Sequence, residues 1–281
     1  MTMINNPSIS ASLVIYNNDI NEVISVIECV RNSSLTVELY IVDNSTNNVN
    51  YDFSHLSKVS YLKSTTNIGF GAGHNLILNK VINKFTFHLI LNPDISFDTT
   101  TIQKLLSRIN ASDNIGLISP KILNPVGSLQ YLCRLLPTPF SLFFRLLSNF
   151  IPFPLFSSLL HKYELRFCDY NTEMNVPFLS GCFMLLRTSV LKEIGFFDDR
   201  FFLYMEDLDL SRRIHSSYVT LYYPEVSIMH IHHKESFKRF NVFYLHLRSA
   251  ILYFNKWGWF YDKSRSIINS NTLNAHGNNY E

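Results

Sequence analysis

Apolar strand-like runs alternate with amphipathic ones along the first 120 residues, and several of the apolar runs stop at an Asn or an Asp. Ser8–Tyr16 (SISASLVIY) reads as a buried strand. INEVISVIECV follows with Val23, Ile24, Ile27 and Val30 at helical spacing. Val37–Ser45 reads as a second strand ending in Asp43-Asn44, and VSYLKS as a third. GAGHNLILNKVI reads as a helix behind a glycine-rich entry, FTFHLILNPD as a fourth strand and IGLIS as a fifth. This alternation predicts an α/β fold, a mostly parallel sheet with helices on both faces. Strand C-termini then share one edge, so Asp43-Asn44, Asn67 and Asn92-Pro93-Asp94 are expected to line one crevice. Pro93 cannot donate to a ladder and ends its strand, which leaves Asp94 just beyond it. A carboxylate there either caps a turn or holds a metal. Thr100-x-x-Gln103 has the spacing of a capping box at the next helix.

The pattern changes after Pro120. LNPVGSLQYLCRLLPTP mixes turn residues with a basic, apolar run, and 139–163 reads as two short helices broken by prolines. Val176–Arg187 reads as one long strand. Helices are expected over 188–194, 206–216 and 238–257, and strands near 218–222 and 226–231. The polar stretch from 263 to 281 reads as a loose tail.

Hydrophobic residues make up 47% of the chain and charged ones 16%, a globular rather than disordered composition. The formal charge of +2 gives no footprint for nucleic acid. Cys29, Cys133, Cys168 and Cys182 are scattered without a C-x-x-C pair, which argues against a zinc site or a disulfide framework and fits a reducing cytoplasm. The N-terminal MTMINNPSIS has no basic start and apolar core, so no signal peptide is expected. Pro139–Leu160 is the most apolar stretch, but Arg145, Asn149, Pro152 and Pro154 interrupt it, which makes a poor spanning helix. It reads as helix packing, with a surface resting on lipid as the alternative.

Four segments offer chemistry. Asn67–Asn75 (NIGFGAGHN) opens a helix with Gly69, Gly71 and Gly73. It either cradles an anion such as a diphosphate or only lets the helix pack, and it matches neither a Walker loop nor G-x-G-x-x-G. Asp94 follows its strand as described. Phe201–Arg213 places Glu206, Asp207 and Asp209 at a helix start, where the dipole favours acids whatever their function. The functional reading needs one of them to face the crevice as a general base, its pKa raised by burial. Met229–Ser236 sets His230 and His232 on one strand face, with His233 beside them. The plain reading is a histidine group in core or surface. The sharper one joins an imidazole to Asp94 on Mn²⁺.

The pieces LVIYNN, LYIVDNST, NIGFGAGHN, LILNPD, FLSGCFMLLR, GFFDDRFFLYMEDLDLSRR and YYPEVSIMH occur in this order between about Ser10 and His230. In this the chain resembles glycosyltransferase family 2, with its GT-A fold, and the bacterial rhamnosyltransferases of lipopolysaccharide O-antigen assembly. The resemblance implies an inverting, metal-dependent transferase. Tyr16 and Asp43 would floor the base and ribose pocket, and Asn67, Gly69 and Asn92 would contact the nucleotide sugar. Asp94 would be the metal-binding acid of a D-x-D element whose first acid is here Asn92, and His230 the late histidine ligand. Asp207, paired with Glu206, would be the catalytic base, and Ser180, Gly181 and Cys182 would border the acceptor.

The cofactor implied is a divalent cation, Mn²⁺ or Mg²⁺. The implied partners are a nucleotide-sugar donor such as dTDP-L-rhamnose and a glycan acceptor on a polyprenyl diphosphate. The chain would work in the cytoplasm, peripheral to the inner membrane, through 139–160 and Lys234, Lys238 and Arg239. Residues 1–120 would form the nucleotide-sugar half and 121–235 the acceptor and catalytic half, followed by a C-terminal helix over 236–262 and the tail. Asn92 in place of an acid leaves a non-catalytic nucleotide-sugar-binding subunit as an alternative. UDP-hexose or UDP-N-acetylhexosamine donors are others, and the glycine loop argues against a glycoside hydrolase.

Overall fold

The structure, a computed structural model, describes residues 8–46, 51–147, 157–231 and 240–277. Nine strands and nine helices occur among them. The strands are β1 (Ile9–Ile15), β2 (Val37–Asp43), β3 (Val59–Lys63), β4 (Phe87–Leu91), β5 (Ile95–Phe97), β6 (Ile115–Leu123), β7 (Met174–Asn175), β8 (Phe183–Arg187) and β9 (Val219–His230). The helices are α1 (Ile20–Arg31), α2 (Phe70–Val81), α3 (Thr101–Asn110), α4 (Pro139–Leu147), α5 (Ser157–Tyr163), α6 (Thr188–Ile194), α7 (Glu206–His215), α8 (Phe240–Trp257) and α9 (Lys263–His276).

One sheet runs β3-β2-β1-β4-β8-β6-β9-β5, with β7 on β9. Strands β1 to β4 are mutually parallel along β3-β2-β1-β4, and β6 and β9 share their direction across the antiparallel β8. This is the mostly parallel α/β sheet the alternation predicts. Alternate side chains go to opposite faces. Leu13, Ile15, Leu39 and Ile41 pack with Val23 and Ile27 of α1 and Leu105 of α3. Val14 and Val42 pack with Ile77 and Val81 of α2 on the other face.

The sequence reading departs from the structure in five places. Val176–Arg187 is a strand only over Phe183–Arg187, because the Leu179 and Gly181 amides leave the ladder. Leu179 N–H donates to Ser211 Oγ at 3.4 Å and Gly181 N–H to Asp207 Oδ2 at 2.9 Å. The two strands expected near 218–222 and 226–231 are one, β9. Its pairing with β6 jumps from Tyr223 to Ser227, a bulge that accommodates Pro224. The capping box does not form: Thr100 makes no side-chain cap bond, and Gln103 Oε1 accepts from Ser34 Oγ instead. Strand β5, only three residues long, is too short to read from periodicity. The tail is helical as α9. Asp262 caps it by accepting from Arg265 N–H at 2.9 Å, and Asn269 bonds both ways with the Leu136 backbone at 2.8 and 2.9 Å. Its anchors are polar, so no hydrophobic pattern announces it.

The C-terminal helices hold α7. Buried Arg212 of α7 pairs with Asp262 at 2.8 Å and lies 3.9 Å from the Trp257 ring centroid. Asp209 accepts from Trp257 Nε1 at 2.8 Å and pairs with Lys256 at 2.7 Å and Arg213 at 2.8 Å. Asp209 is therefore a structural node.

Candidate active site

A cleft of about 820 Å³ opens at the carboxyl edge of β1, β2 and β4. Tyr16, Asn67, Gly69, Asn92, Asp94, Ser180, Gly181, Cys182, Glu206, Asp207 and His230 all line it. Asp43 does not. Its buried carboxylate, at the end of β2, accepts from Tyr61 Oη at 2.6 Å, Lys63 Nζ at 2.9 Å and Ser45 N–H at 2.8 Å. Burial opposes its ionisation, but these hydrogen bonds outweigh burial and hold its pKa below the usual range. Its neighbour Asn44 reaches the cleft wall in its place.

The glycine-rich entry to α2 serves shape at its first two amides. Gly69 N–H donates to Asn67 Oδ1 at 3.0 Å and Phe70 N–H to the Phe202 carbonyl at 3.1 Å. Gly69 has φ +92°, and a Cβ there would lie 2.3 Å from that carbonyl oxygen. Asn75, later in α2, bonds Phe197 both ways at 2.8 and 3.2 Å. The entry and start of α2 thus grip the loop that leads into α7.

That loop ends with Tyr204 and Met205, both at φ 69°. Two successive side-chain-bearing residues in the left-handed region are held there by their surroundings, at a cost of about 1–3 kcal/mol each. The kink delivers Glu206 and Asp207 to the cleft. Asp207 Oδ2 accepts from Gly181 N–H at 2.9 Å and Oδ1 from Leu208 N–H at 2.8 Å. Burial raises the Asp207 pKa, while the Gly181 and Leu208 amides and the positive charge of Arg134 act against it. Burial, and then the Asp207 charge, push Glu206 well above the ordinary carboxylate range, and its Oε2 has no hydrogen-bond partner among the described residues.

Across the cleft, β5 pairs with β9 so that Ile95 faces His230, and Ile231 N–H donates to the Asp94 carbonyl at 2.8 Å. This register brings Asp94 Oδ2 to 3.4 Å from His230 Nε2. Gln130 fixes the imidazole. Its Nε2 donates to Asn124 Oδ1 and to the His230 carbonyl, both at 2.8 Å, so its Oε1 is the atom 3.0 Å from His230 Nδ1. A carboxamide oxygen only accepts, so Nδ1 carries the proton and Nε2 is the nitrogen turned toward Asp94. Asp94 Oδ1 is buried without a hydrogen-bond partner among the described residues. One carboxylate and one oriented imidazole fit a shared Mn²⁺ or Mg²⁺. The described residues contain no group of three metal-ligating side chains, so this pair is a partial ligand set.

Asn92 N–H donates to the Cys182 carbonyl at 3.0 Å, which joins the ends of β4 and β8 under the cleft. Burial pushes the Cys182 thiol up to about 12, so it stays protonated. His232, His233, Lys234, Lys238 and Arg239 lie outside the described residues. Gln130, Arg134, Arg166 and His246 also line the cleft and escaped the sequence reading, as did Arg145, which reads only as a break in the apolar stretch. The only signal for any of them was the basic character of the run around Gln130 and Arg134.

The fold is that of the GT-A glycosyltransferases. A mannosyltransferase from Pyrobaculum calidifontis, solved with GDP-Man and Mn²⁺, superposes with a TM-score of 0.60 over 95% of this chain and 69% of its own, at 12% identity. In sequence the chain resembles family 2 of that class, with rhamnosyltransferases among its relatives. It is 28% identical over 144 residues to the N-acetylglucosaminyl-diphospho-decaprenol L-rhamnosyltransferase of Mycobacterium tuberculosis, a match covering 50% of this chain. That match spans about half of the relative, 46% of its length. It is also 28% identical over 211 residues to the rhamnosyltransferase WbbL of Escherichia coli, covering 71% of this chain and 74% of that one. No family model matches the chain.

Proposed function

We propose that the chain transfers a sugar from a nucleoside-diphosphate donor to an acceptor hydroxyl with inversion at the anomeric carbon. The observation that carries this is the half-buried Asp207 carboxylate, held by Gly181 N–H in the same cleft as the Asp94–His230 pair. Asp207 takes the proton of the acceptor hydroxyl while that oxygen bonds to the anomeric carbon. The bond from that carbon to the diphosphate oxygen breaks, and the diphosphate leaves with the electron pair. Asp94 and His230 would hold the divalent cation, which when bound neutralises charge on the departing diphosphate. Tyr16, Asn67 and Asn92 bound the donor side of the cleft, and Ser180, Gly181 and Cys182 the acceptor side.

The donor we favour is dTDP-L-rhamnose and the acceptor a glycan on a polyprenyl diphosphate, both supported by the names of the relatives. Peripheral contact with the cytoplasmic face of the inner membrane is supported by the exposed Phe140 and Phe143 of α4, with Phe260 and Tyr261 beyond α8. No helix among the described residues is long and apolar enough to cross a membrane.

The test is nucleotide release from a panel of dTDP-rhamnose, UDP-hexoses, UDP-N-acetylhexosamines and GDP-mannose, with lipid-linked glycan extract, in Mn²⁺, Mg²⁺ or chelator. Release from one donor, abolished by chelator and by Asp207→Asn, is expected. Full turnover by Asp207→Asn would remove the base assignment. A metal titration unchanged by Asp94→Ala would remove the metal site.

A further inference from the structure

The cleft also carries a cluster of arginines that the transfer chemistry above does not use. Arg134 is bridged by its backbone N–H to the Phe178 carbonyl at 3.2 Å, three residues before Gly181 and its bond to Asp207. Its residue is 8% exposed, its guanidinium makes no hydrogen bond or ion pair among the described residues, and its Nε is fully buried without a partner. The ring of Phe178 lies 5.5 Å beneath it. Arg145 of α4 and Arg166 both pair with Glu164, at 3.3 and 2.5 Å. Leu135 N–H bonds the Tyr163 carbonyl at 3.0 Å, which ties the Arg134 segment to Glu164. His246 of α8 completes this wall. Burial, then the charges of Arg145 and Arg134, push its pKa to about 4, and its Nε2 is buried without a partner.

Three guanidiniums thus line the cleft, two of them paired with Glu164 and Arg134 without an ion pair among the described residues. A buried cation without a counter-ion is costly unless an anion joins it. Guanidinium forks match phosphate oxygens in particular. Arg134, Arg145 and Arg166 stand on other elements than Asp94 and His230, which follow β4 and end β9, although Gln130, four residues before Arg134, bonds His230.

We infer that Arg134, Arg145 and Arg166 form a second anion subsite that binds the phosphate of a prenyl-diphosphate-linked acceptor, without a metal. This rests on the transferase reading above and names the part of the acceptor that the cleft grips. The diphosphate docks at the arginines and its sugar extends toward Asp207.

The test is calorimetric titration of the full chain with farnesyl diphosphate, first in chelator and then in Mn²⁺, with farnesol and inorganic diphosphate as comparison ligands. Arginine-bound phosphate needs no metal, whereas a diphosphate held at Asp94 and His230 does. Binding of farnesyl diphosphate in chelator is expected to weaken about 10- to 100-fold in Arg134→Gln and in Arg145→Gln. It should persist in Asp94→Asn. The partly exposed Arg166→Gln serves if either of the others fails to fold. Binding that requires Mn²⁺ and disappears in Asp94→Asn would assign the ligand to the donor site and overturn the proposal. Equal affinity in wild type and arginine variants, or equal affinity for farnesol, would overturn it too. The readout does not depend on turnover, so a failure of the transferase reading shows separately in the nucleotide-release panel.

Discussion

Gly69→Ala is expected to cost about 3–5 kcal/mol of stability and most of the turnover. Gly69 sits at φ +92°, ψ 174°, a region that only glycine enters readily, and an alanine forced there costs about 1–3 kcal/mol. The added Cβ would lie 2.3 Å from the Phe202 carbonyl oxygen, well inside the roughly 3.5 Å of a favourable contact. Relief requires the Phe202 backbone to retreat. That breaks the Phe70 N–H bond to it, at 3.1 Å, worth about 1 kcal/mol. The Asn44 Nδ2 bond to the Gly69 carbonyl, at 3.0 Å, is lost with the glycine's own movement at about the same cost. The retreat also moves Tyr204 and Met205, and so Asp207. A displacement of about 1 Å at a reacting group costs on the order of 10²-fold in rate. Urea unfolding followed by circular dichroism reads the first effect, and steady-state nucleotide release the second. A loss below about 1 kcal/mol, within the range of many surface substitutions, would refute the claim that this contact holds the α7 entry.

Asp207→Asn is expected to lower kcat about 10²- to 10⁴-fold with an unchanged unfolding curve shape, checked by single-turnover kinetics. The acid limb of the rate–pH profile should lie above the ordinary Asp range of about 3.9, since burial raises Asp207. Arg134→Gln should move it further up, because the guanidinium charge lowers that pKa. Glu206 and Asp207 bind protons more tightly folded than unfolded. Their stabilising contribution is therefore complete below about pH 4 and lost as pH rises through their folded pKa values. Glu206→Gln should accordingly flatten the fall in stability as pH rises above the ordinary Glu pKa of about 4.3, measured by urea titration. Gln130→Leu frees the imidazole of His230 and should weaken Mn²⁺ activation about 10- to 100-fold, measured by metal titration at fixed donor. Asp262→Ala leaves Arg212 buried without its carboxylate and should cost about 3–5 kcal/mol in urea unfolding.

Much of this protein is local, and what is local was legible. The strand–helix alternation and the stop at Pro93 depend on periodicity and backbone chemistry within a few residues. They gave the parallel half of the sheet and set Asp94 at its edge. The ordered motifs carried the family likeness, and with it Glu206-Asp207 and His230.

The misreadings share a cause. Segment 176–182 has the composition of a strand, yet its Leu179 and Gly181 amides bond to Ser211 and Asp207, more than twenty residues on in the chain. Helix α9 has almost no apolar stripe and stands on polar anchors to Leu136 and Arg212. Asp43 ends its strand as expected, but Tyr61 and Lys63 from the neighbouring β3 close over it.

By itself the sequence determined which residues end the strands and which acids start α7, because apolar spacing and proline fix these locally. Only the tertiary structure decided that Gln130 orients His230 and that the charge of Arg134 acts on Asp207. It alone decided, too, that Phe202 leans on Gly69. Each of these joins residues far apart in the chain through a single side chain or carbonyl, and such a contact leaves no period in the sequence.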